Sequence, residues 1–229
     1  MKKTALCYFS IYTRQLPRDA ICLKGAEQNG MNIIRIVDAS PSLLKYMRLV
    51  KRYFFEGTDC TAVLIGYLSN VLVPLLRIVS RKKIIYNALC SLYEGSVLDR
   101  QDFSPWSLRG MLNWLIDFFA FHCADVVLVE SNEQKQFISG MFKVRKDKLV
   151  RVWTGADDAV FYPDPKVPKR PSFTAVFRGA FLPATGVEYI VEAAEILRDA
   201  DIHILILGRG MLCEKIQDMI RRKGLNNIE

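Results

Sequence analysis

Two glycine-bearing segments hold the residue types best suited to chemistry in this chain. The first reads Phe177-Arg178-Gly179-Ala180-Phe181-Leu182-Pro183-Ala184-Thr185-Gly186 and leads into a helical pattern. Gly179 lets the backbone turn tightly or admit a ligand. Amides at a helix start near Gly186, with the helix dipole behind them and Arg178 as a nearby cation, suit a phosphate. The second reads Ile204-Leu205-Ile206-Leu207-Gly208-Arg209-Gly210. It places Gly208 and Gly210 at the carboxyl end of a strand, where open α/β sheets take ligands. It is G-x-G without the remainder of G-x-G-x-x-G, and it follows the second strand of its unit. Both facts count against a nicotinamide dinucleotide site. Read alone, these four glycines serve a plain turn equally well.

Polar residues also follow two strands nearer the start. Arg14 and Arg18 come after the first apolar run, and Tyr93, Glu94, Asp99 and Arg100 come after the fourth. Metal chemistry finds no ligand set. The six cysteines form no C-x-x-C pair and read as buried free thiols of a reducing compartment. The two histidines, His122 and His203, sit in or beside apolar runs and read as core residues.

The elements that must position these groups alternate. Short β-rich runs at Thr4–Phe9, Asn32–Val37, Thr61–Gly66, Lys83–Asn87, Val126–Glu130 and Leu149–Trp153 are separated by stretches with helical spacing. Such alternation predicts right-handed βαβ units, a parallel sheet and helices on both faces. Gly30 should close a helix over roughly Arg18–Asn29, and Ser131 with Gln134 reads as a capping box. The segment from Pro41 to Phe55 predicts a basic amphipathic helix, with Leu43, Met47, Val50 and Phe54 on one face and Lys45, Arg48 and Arg52 elsewhere. That face fits packing on its own sheet, or an anionic membrane. The segment Ser107–Cys123 predicts a helix buried on most of its circumference.

Tyr162 to Pro171 holds four of the nine prolines and neither period, so it reads as a linker between a first domain, 1–161, and a second, 172–229. Beyond it a βαβα pattern starts again: strand Phe173–Phe177, helix Gly186–Arg198 with a capping box of Thr185 and Glu188, strand Ile202–Leu207, helix Leu212–Lys223. Ile228 would open a third strand. Two strands with two helices cannot cover their own apolar faces, so this second unit is expected to be partial or to lean on something else.

The chain has 229 residues, 51% of them hydrophobic, and a formal charge of +8. The first two figures indicate a folded globular protein. The charge points to an anionic partner. Nucleic acid fits poorly, because the basic residues are dispersed without interleaved exposed aromatics. The uncharged stretch Cys60–Leu76 is short for a membrane span and is broken by Gly66, Asn70 and Pro74, so a strand, a turn and a helix suit it better. No secretory signal follows Met1. A cytoplasmic protein is expected, with peripheral contact at the inner membrane face through residues such as Lys45, Arg48, Arg52, Arg81, Lys82 and Lys83.

The Phe177-x-Gly-x-Phe-x-Pro-x-x-Gly-Val-Glu-Tyr-Ile segment and the Leu-Gly-x-Gly turn after it resemble the start of the donor domain of glycosyltransferase family 4 (group 1). So do Ala124-Asp125-Val-Val-Leu-Val-x-Ser131 and Gly155-Ala-Asp157-Asp158-x-x-Phe161-x-Pro163. Tyr12-Thr-Arg14-x-x-Pro17-Arg18, with Ser91-Leu-Tyr93-x-x-x-Val97-Leu-Asp99-Arg100, is similar to one branch of that family. The resemblance implies a GT-B fold, two Rossmann-like domains of which the second is cut short here. It implies transfer, with retention, from a nucleotide-diphosphate sugar to a glycan or lipid-linked acceptor of cell-surface polysaccharide synthesis. No metal or other cofactor is then needed, since fixed cations and amides stabilise the departing diphosphate. On this reading Arg178, Gly179, Thr185, Gly186, Gly208 and Gly210 line the donor site, and Arg14, Arg18, Tyr93, Glu94, Asp99 and Arg100 are acceptor-side candidates. A salt bridge within the Glu94, Asp99 and Arg100 group stands beside that reading.

Three departures stand out. Ala180 and Thr185 occupy positions where many members carry an arginine and a lysine. Asn87 lies where many have a histidine. The paired-glutamate motif is absent. Catalytic residues are therefore unassigned. An inactive truncated product or binding module, and a sugar-nucleotide epimerase on the same architecture, remain as alternatives.

Overall fold

The computed structural model describes residues 4–13 and 16–229. Close contacts divide the chain into two units, one of residues 1–98 with 102–162 and one of residues 99–101 with 163–229.

The first unit is a six-stranded parallel sheet in the order β2-β1-β3-β4-β5-β6. The strands are β1 (Ala5–Ser10), β2 (Asn32–Val37), β3 (Ala62–Ile65), β4 (Lys83–Leu89), β5 (Val126–Val129) and β6 (Leu149–Arg151). Helices α1 (Pro17–Gln28), α2 (Leu44–Arg52), α3 (Leu72–Val79), α4 (Leu108–Cys123) and α5 (Asn132–Phe142) make the crossovers. Alternation along each strand divides the apolar side chains between two faces. Cys7, Phe9, Val63, Ile65, Ile84, Tyr86, Val127 and Val129 build the larger core against α2 to α5. Leu6, Tyr8 and Leu64 face the other way, onto Leu23 of α1. The stretch 60–76 is β3, a turn and the start of α3. No helix among the described residues is long and apolar enough to cross a membrane.

Local chemistry explains several ends. Pro17 opens α1, where its missing N–H costs nothing. Gly30, at φ +78°, stops that helix, and the Met31 N–H reaches back to the Ala26 carbonyl. Ser131 accepts from the Gln134 amide at 3.1 Å, while Gln134 Oε1 accepts from the Glu130 amide at 2.8 Å.

Other expectations need correction. In α2 the buried residue is Leu49, followed by Tyr53 in the π-helical turn Tyr53–Gly57, whereas Leu43, Met47 and Phe54 are exposed. The face that meets the sheet is rotated from the one the apolar count suggests. In α4 only Gly110, Asp117, Ala120 and Phe121 are buried, and Leu108, Met111, Leu112, Leu115 and Phe119 form an exposed stripe. Apolar composition alone could not say which side would lack a neighbour. His122 and His203 are exposed rather than core residues. Cys7 and Cys60 are buried, the other four cysteines are half-buried, and all six are free.

The second unit pairs β7 (Phe173–Ala180) with β8 (Ile202–Arg209), parallel. Helices α6 (Val187–Ile196) and α7 (Cys213–Lys223) pack with Phe177, Ile204 and Ile206. Both strands run further than expected, to Ala180 and Arg209, because their ladder continues through the glycines Gly179 and Gly208. Ile228 pairs beside Ile204, and the backbone bonds on either side of it start a third strand. Among the described residues, no helix of this unit packs on the alternate face of β7 and β8, where Val176 is 60% and Leu207 45% exposed.

Candidate functional site

At the carboxyl edge of the first sheet, Arg18 and Asp19 enter from the first turn of α1, and both are buried. Arg18 spends its guanidinium on the strand ends. Nε donates to Asn87 Oδ1 at 2.7 Å, Nη1 to the Val152 carbonyl at 2.8 Å and to Thr154 Oγ1 at 3.0 Å, and Nη2 to the Val129 carbonyl at 3.2 Å. The Asp19 carboxylate accepts from the Tyr8 hydroxyl at 2.9 Å, from Asn87 Nδ2 at 2.5 Å and from the Tyr67 amide at 3.2 Å. Asn87 thus stands between the two opposite charges and bonds both. A buried charge is tolerable only with this degree of pairing. Gly66 belongs to the arrangement: a Cβ there would lie 2.6 Å from Asp19 Oδ2 and 2.7 Å from the Tyr8 oxygen.

A second buried carboxyl lies alongside. Asp117 of α4 accepts from Asn70 Nδ2 at 2.6 Å and from the Tyr93 amide at 2.8 Å. Burial raises its pKa from 3.8 to about 6, against the opposing effect of the backbone amides of Tyr93 and Leu92 and of the Asn70 and Ser91 side chains. Asp117 thereby fixes the start of the loop after β4. Within that loop Ser91 Oγ accepts from the Glu94 amide at 2.9 Å, and Glu94 Oε2 accepts from the Ser91 amide at 3.3 Å. Those are the reciprocal bonds of a capping box, and they open the π-helical turn Glu94–Asp99.

Beside this network, at the ends of β1 and β2, is a pocket of about 740 Å³. Tyr12, Leu16 and Pro17 line one side, and Ser40, Pro41 and Lys45 the other. Ser40 is held by Arg48, which also donates to Asp38 at 2.7 Å.

The acceptor-side candidates therefore separate. Arg18 is neither in a loop nor solvated: it ties β4, β5 and the residues after β6 together. Tyr93 and Glu94 are half-buried in the capped turn, Asp99 ends that turn, and Arg100 is exposed. Arg14 lies outside the described residues. Asp19, Asn70 and Asp117 are polar members that spacing did not single out, and Asn87, marked only as a departure from the resemblance, joins Arg18 to Asp19. Asp19, next to a basic residue in a first helical turn, looks like an ordinary N-terminal acid, and only the fold brings it to Asn87.

On the second unit, the donor-side candidates gather at the carboxyl ends of β7 and β8. Gly179 pairs with Gly208 in the ladder, and Ala180 with Arg209. A Cβ on Gly208 would run into the Gly179 carbonyl, and one on Gly210 into the Phe181 backbone. The two βα turns are locked face to face by bonds from the Phe181 amide to the Arg209 carbonyl, 2.9 Å, and from the Leu212 amide to the Phe181 carbonyl, 3.1 Å. These glycines are thus required by the approach of one turn to the other. Gly186 has φ +63° and is the N-cap of α6, which no side chain caps. The expected Thr185–Glu188 capping box does not form. Thr185 Oγ1 instead donates to the Leu182 carbonyl at 2.6 Å, closing the short turn Pro183–Thr185, and Glu188 pairs with Lys215 at 3.2 Å. Thr185 is displaced from capping because Gly186, in its left-handed conformation, takes the cap position.

Arg178 is exposed on β7. Parallel register puts paired residues on one side of the pleat, so Arg209 projects on the same side as Ala180, the position where the expected arginine is missing. Arg209 is exposed and shares this uncovered face with Arg178.

No family model matches the chain, and no curated protein matches it. Solved structures do. Anabaena Alr3699/HepE in complex with UDP-glucose is similar over 98% of this chain and 68% of its own, with a TM-score of 0.65 at 11% identity. The lipopolysaccharide outer core galactosyltransferase WaaB, in its apo form, is similar over 99% and 67%, with a TM-score of 0.59 at 13% identity. At such identities the likeness speaks for architecture. The chain has the α/β fold of the GT-B glycosyltransferases.

Proposed function

We propose that this protein takes part in sugar transfer from a nucleotide-diphosphate sugar, a UDP-sugar in the first instance, to a glycan or lipid-linked acceptor of cell-surface polysaccharide synthesis. The first unit is the acceptor side, with its pocket beside Tyr12, Ser40 and Lys45. The second unit supplies part of the donor side. The observation that carries the reading is the carboxyl edge of β7 and β8, where β7 leads into a helix start that no side chain caps and β8 ends on the exposed Arg209. Fixed cations and amides in that geometry stabilise the negative charge that grows on a departing diphosphate. Arg209 stands in for the arginine absent at Ala180. The fold is also that of a protein crystallised with UDP-glucose. Retention of anomeric configuration, and transfer without a metal, are part of the proposal.

The test is turnover. Incubation with UDP-glucose, UDP-galactose and UDP-N-acetylglucosamine and with lipid-linked or glycan acceptors should release UDP in step with a glycosylated product. A chain that binds no nucleotide sugar contradicts the proposal. A second reading, a nucleotide-sugar-binding module without turnover, is favoured by Thr185, whose hydroxyl is committed to Leu182. Binding without product on any acceptor would select it.

A further inference from the structure

Helix α2 carries Lys45, Arg48, Lys51 and Arg52 and no acidic residue. Its apolar side points away from the core: Met47 is 69% exposed, Phe55 just beyond it 77%, and Ile78 on the neighbouring α3 81%. Met47, Val50 and Phe54 meet Leu75 and Ile78 along a groove of about 490 Å³. Apolar side chains exposed side by side on two adjoining helices mark a surface that something covers. Charge identifies the partner. Arg48 is committed to Asp38 and Arg52 to Glu56. Lys45 and Lys51 have no carboxylate partner among the described residues, and each lies over an aromatic ring at the groove's edge, 5.5 Å from Tyr46 and 6.0 Å from Phe55. Long basic side chains flanking an apolar surface let the stems and rings enter an acyl layer while the ammonium groups stay among the phosphates. A second copy docked on this surface about a two-fold axis would bring two such lysine pairs together, which is unfavourable. The groove adjoins the pocket of the first unit, since Lys45 lines the pocket and Tyr46 and Met47 line the groove.

We propose that the α2–α3 surface inserts into an anionic membrane, with Met47, Phe54, Phe55 and Ile78 in the acyl boundary and Lys45 and Lys51 at the headgroup phosphates. The proposal rests on exposure and charge and does not depend on sugar transfer.

Flotation of the full chain with vesicles of phosphatidylcholine, with and without phosphatidylglycerol, tests it. The chain should float with the anionic vesicles and much less with the neutral ones. Phe55→Ser and Ile78→Ser should each lower partitioning roughly tenfold. Lys45→Gln and Lys51→Gln should each lower it about fivefold, on anionic vesicles alone. Lys51, Phe55 and Ile78 are exposed and Lys45 is half-buried, so circular dichroism should report folded variants. Three results would overturn the proposal: a wild-type chain that stays with the vesicle-free fraction, apolar variants that float like wild type, or a dimer in sedimentation that Phe55→Ser dissolves. The last would assign the surface to a second copy. Loss of UDP binding would bear on the proposed function and leave flotation unchanged.

Discussion

The carboxyl edges of the two sheets are built on opposite plans. In the first unit the edge is made by side chains: Arg18, Asp19 and Asn87 are buried and bonded to one another or to strand ends, and buried Asp117 holds Asn70 and the loop after β4. In the second it is made by backbone: Gly179, Gly208 and Gly210 let two turns close on each other, and the charged groups, Arg178 and Arg209, stay at the surface. The contrast shows where energy is committed. A buried network fixes a rigid floor, and its charges are not available to a ligand. A backbone frame keeps Arg209 exposed at the end of β8. Substitutions should therefore damage stability at the first edge and binding at the second.

The largest expected effect is at Arg18. Arg18→Ala removes the group that ties β4, β5 and the segment after β6, and strands the Asp19 charge. Chemical denaturation should show a loss of roughly 3–5 kcal/mol. A value under about 1 kcal/mol would show that the network is not the floor of the unit. Next is Gly208→Ala, whose methyl meets the Gly179 carbonyl. It should cost about 3 kcal/mol, seen as faster proteolysis within residues 172–229 and little change in the first unit.

Asp117 should give a smaller, pH-dependent effect. Its pKa in the folded chain, about 6, lies above the ordinary 3.8, so the folded state holds a proton that the unfolded state has released. The stabilisation is full below about pH 4 and is lost as pH rises through 6. Unfolding free energy should fall by roughly 2 kcal/mol between pH 4 and pH 7 from this group, and Asp117→Asn should flatten that slope. The smallest effect on stability, and the sharpest on binding, is at Arg209. Arg209→Ala should change stability by no more than about 0.5 kcal/mol and weaken UDP binding roughly tenfold by calorimetry. Equal affinity in the variant would remove Arg209 from the donor side.

Much of the fold was legible because its signals are local. Alternating β-rich and helical runs, Gly30 and the Ser131–Gln134 cap all act within a few residues, and the strands and helices fall close to where those signals place them. What was not legible depends on distance in the sequence. Arg18 reaches Asn87, Val129 and Val152, and nothing in its neighbourhood announces a buried arginine. Amphipathic α2 has apolar residues on more than one side, and only the packed sheet decides that Leu49 and Tyr53 go inward. Gly208 and Gly210 were marked as candidates for ligand approach, and nothing in the sequence announced that each also admits the neighbouring turn.

The central claim is that the carboxyl edge of β7 and β8 holds the diphosphate of a nucleotide sugar, and amide-resolved NMR titration of the chain with UDP tests it most directly. The account predicts saturable shifts at Gly179, Gly186, Val187, Gly208 and Gly210, with the buried Arg18–Asp19–Asn87 network unmoved. Absence of shifts at millimolar UDP, or shifts confined to the first unit, would contradict it.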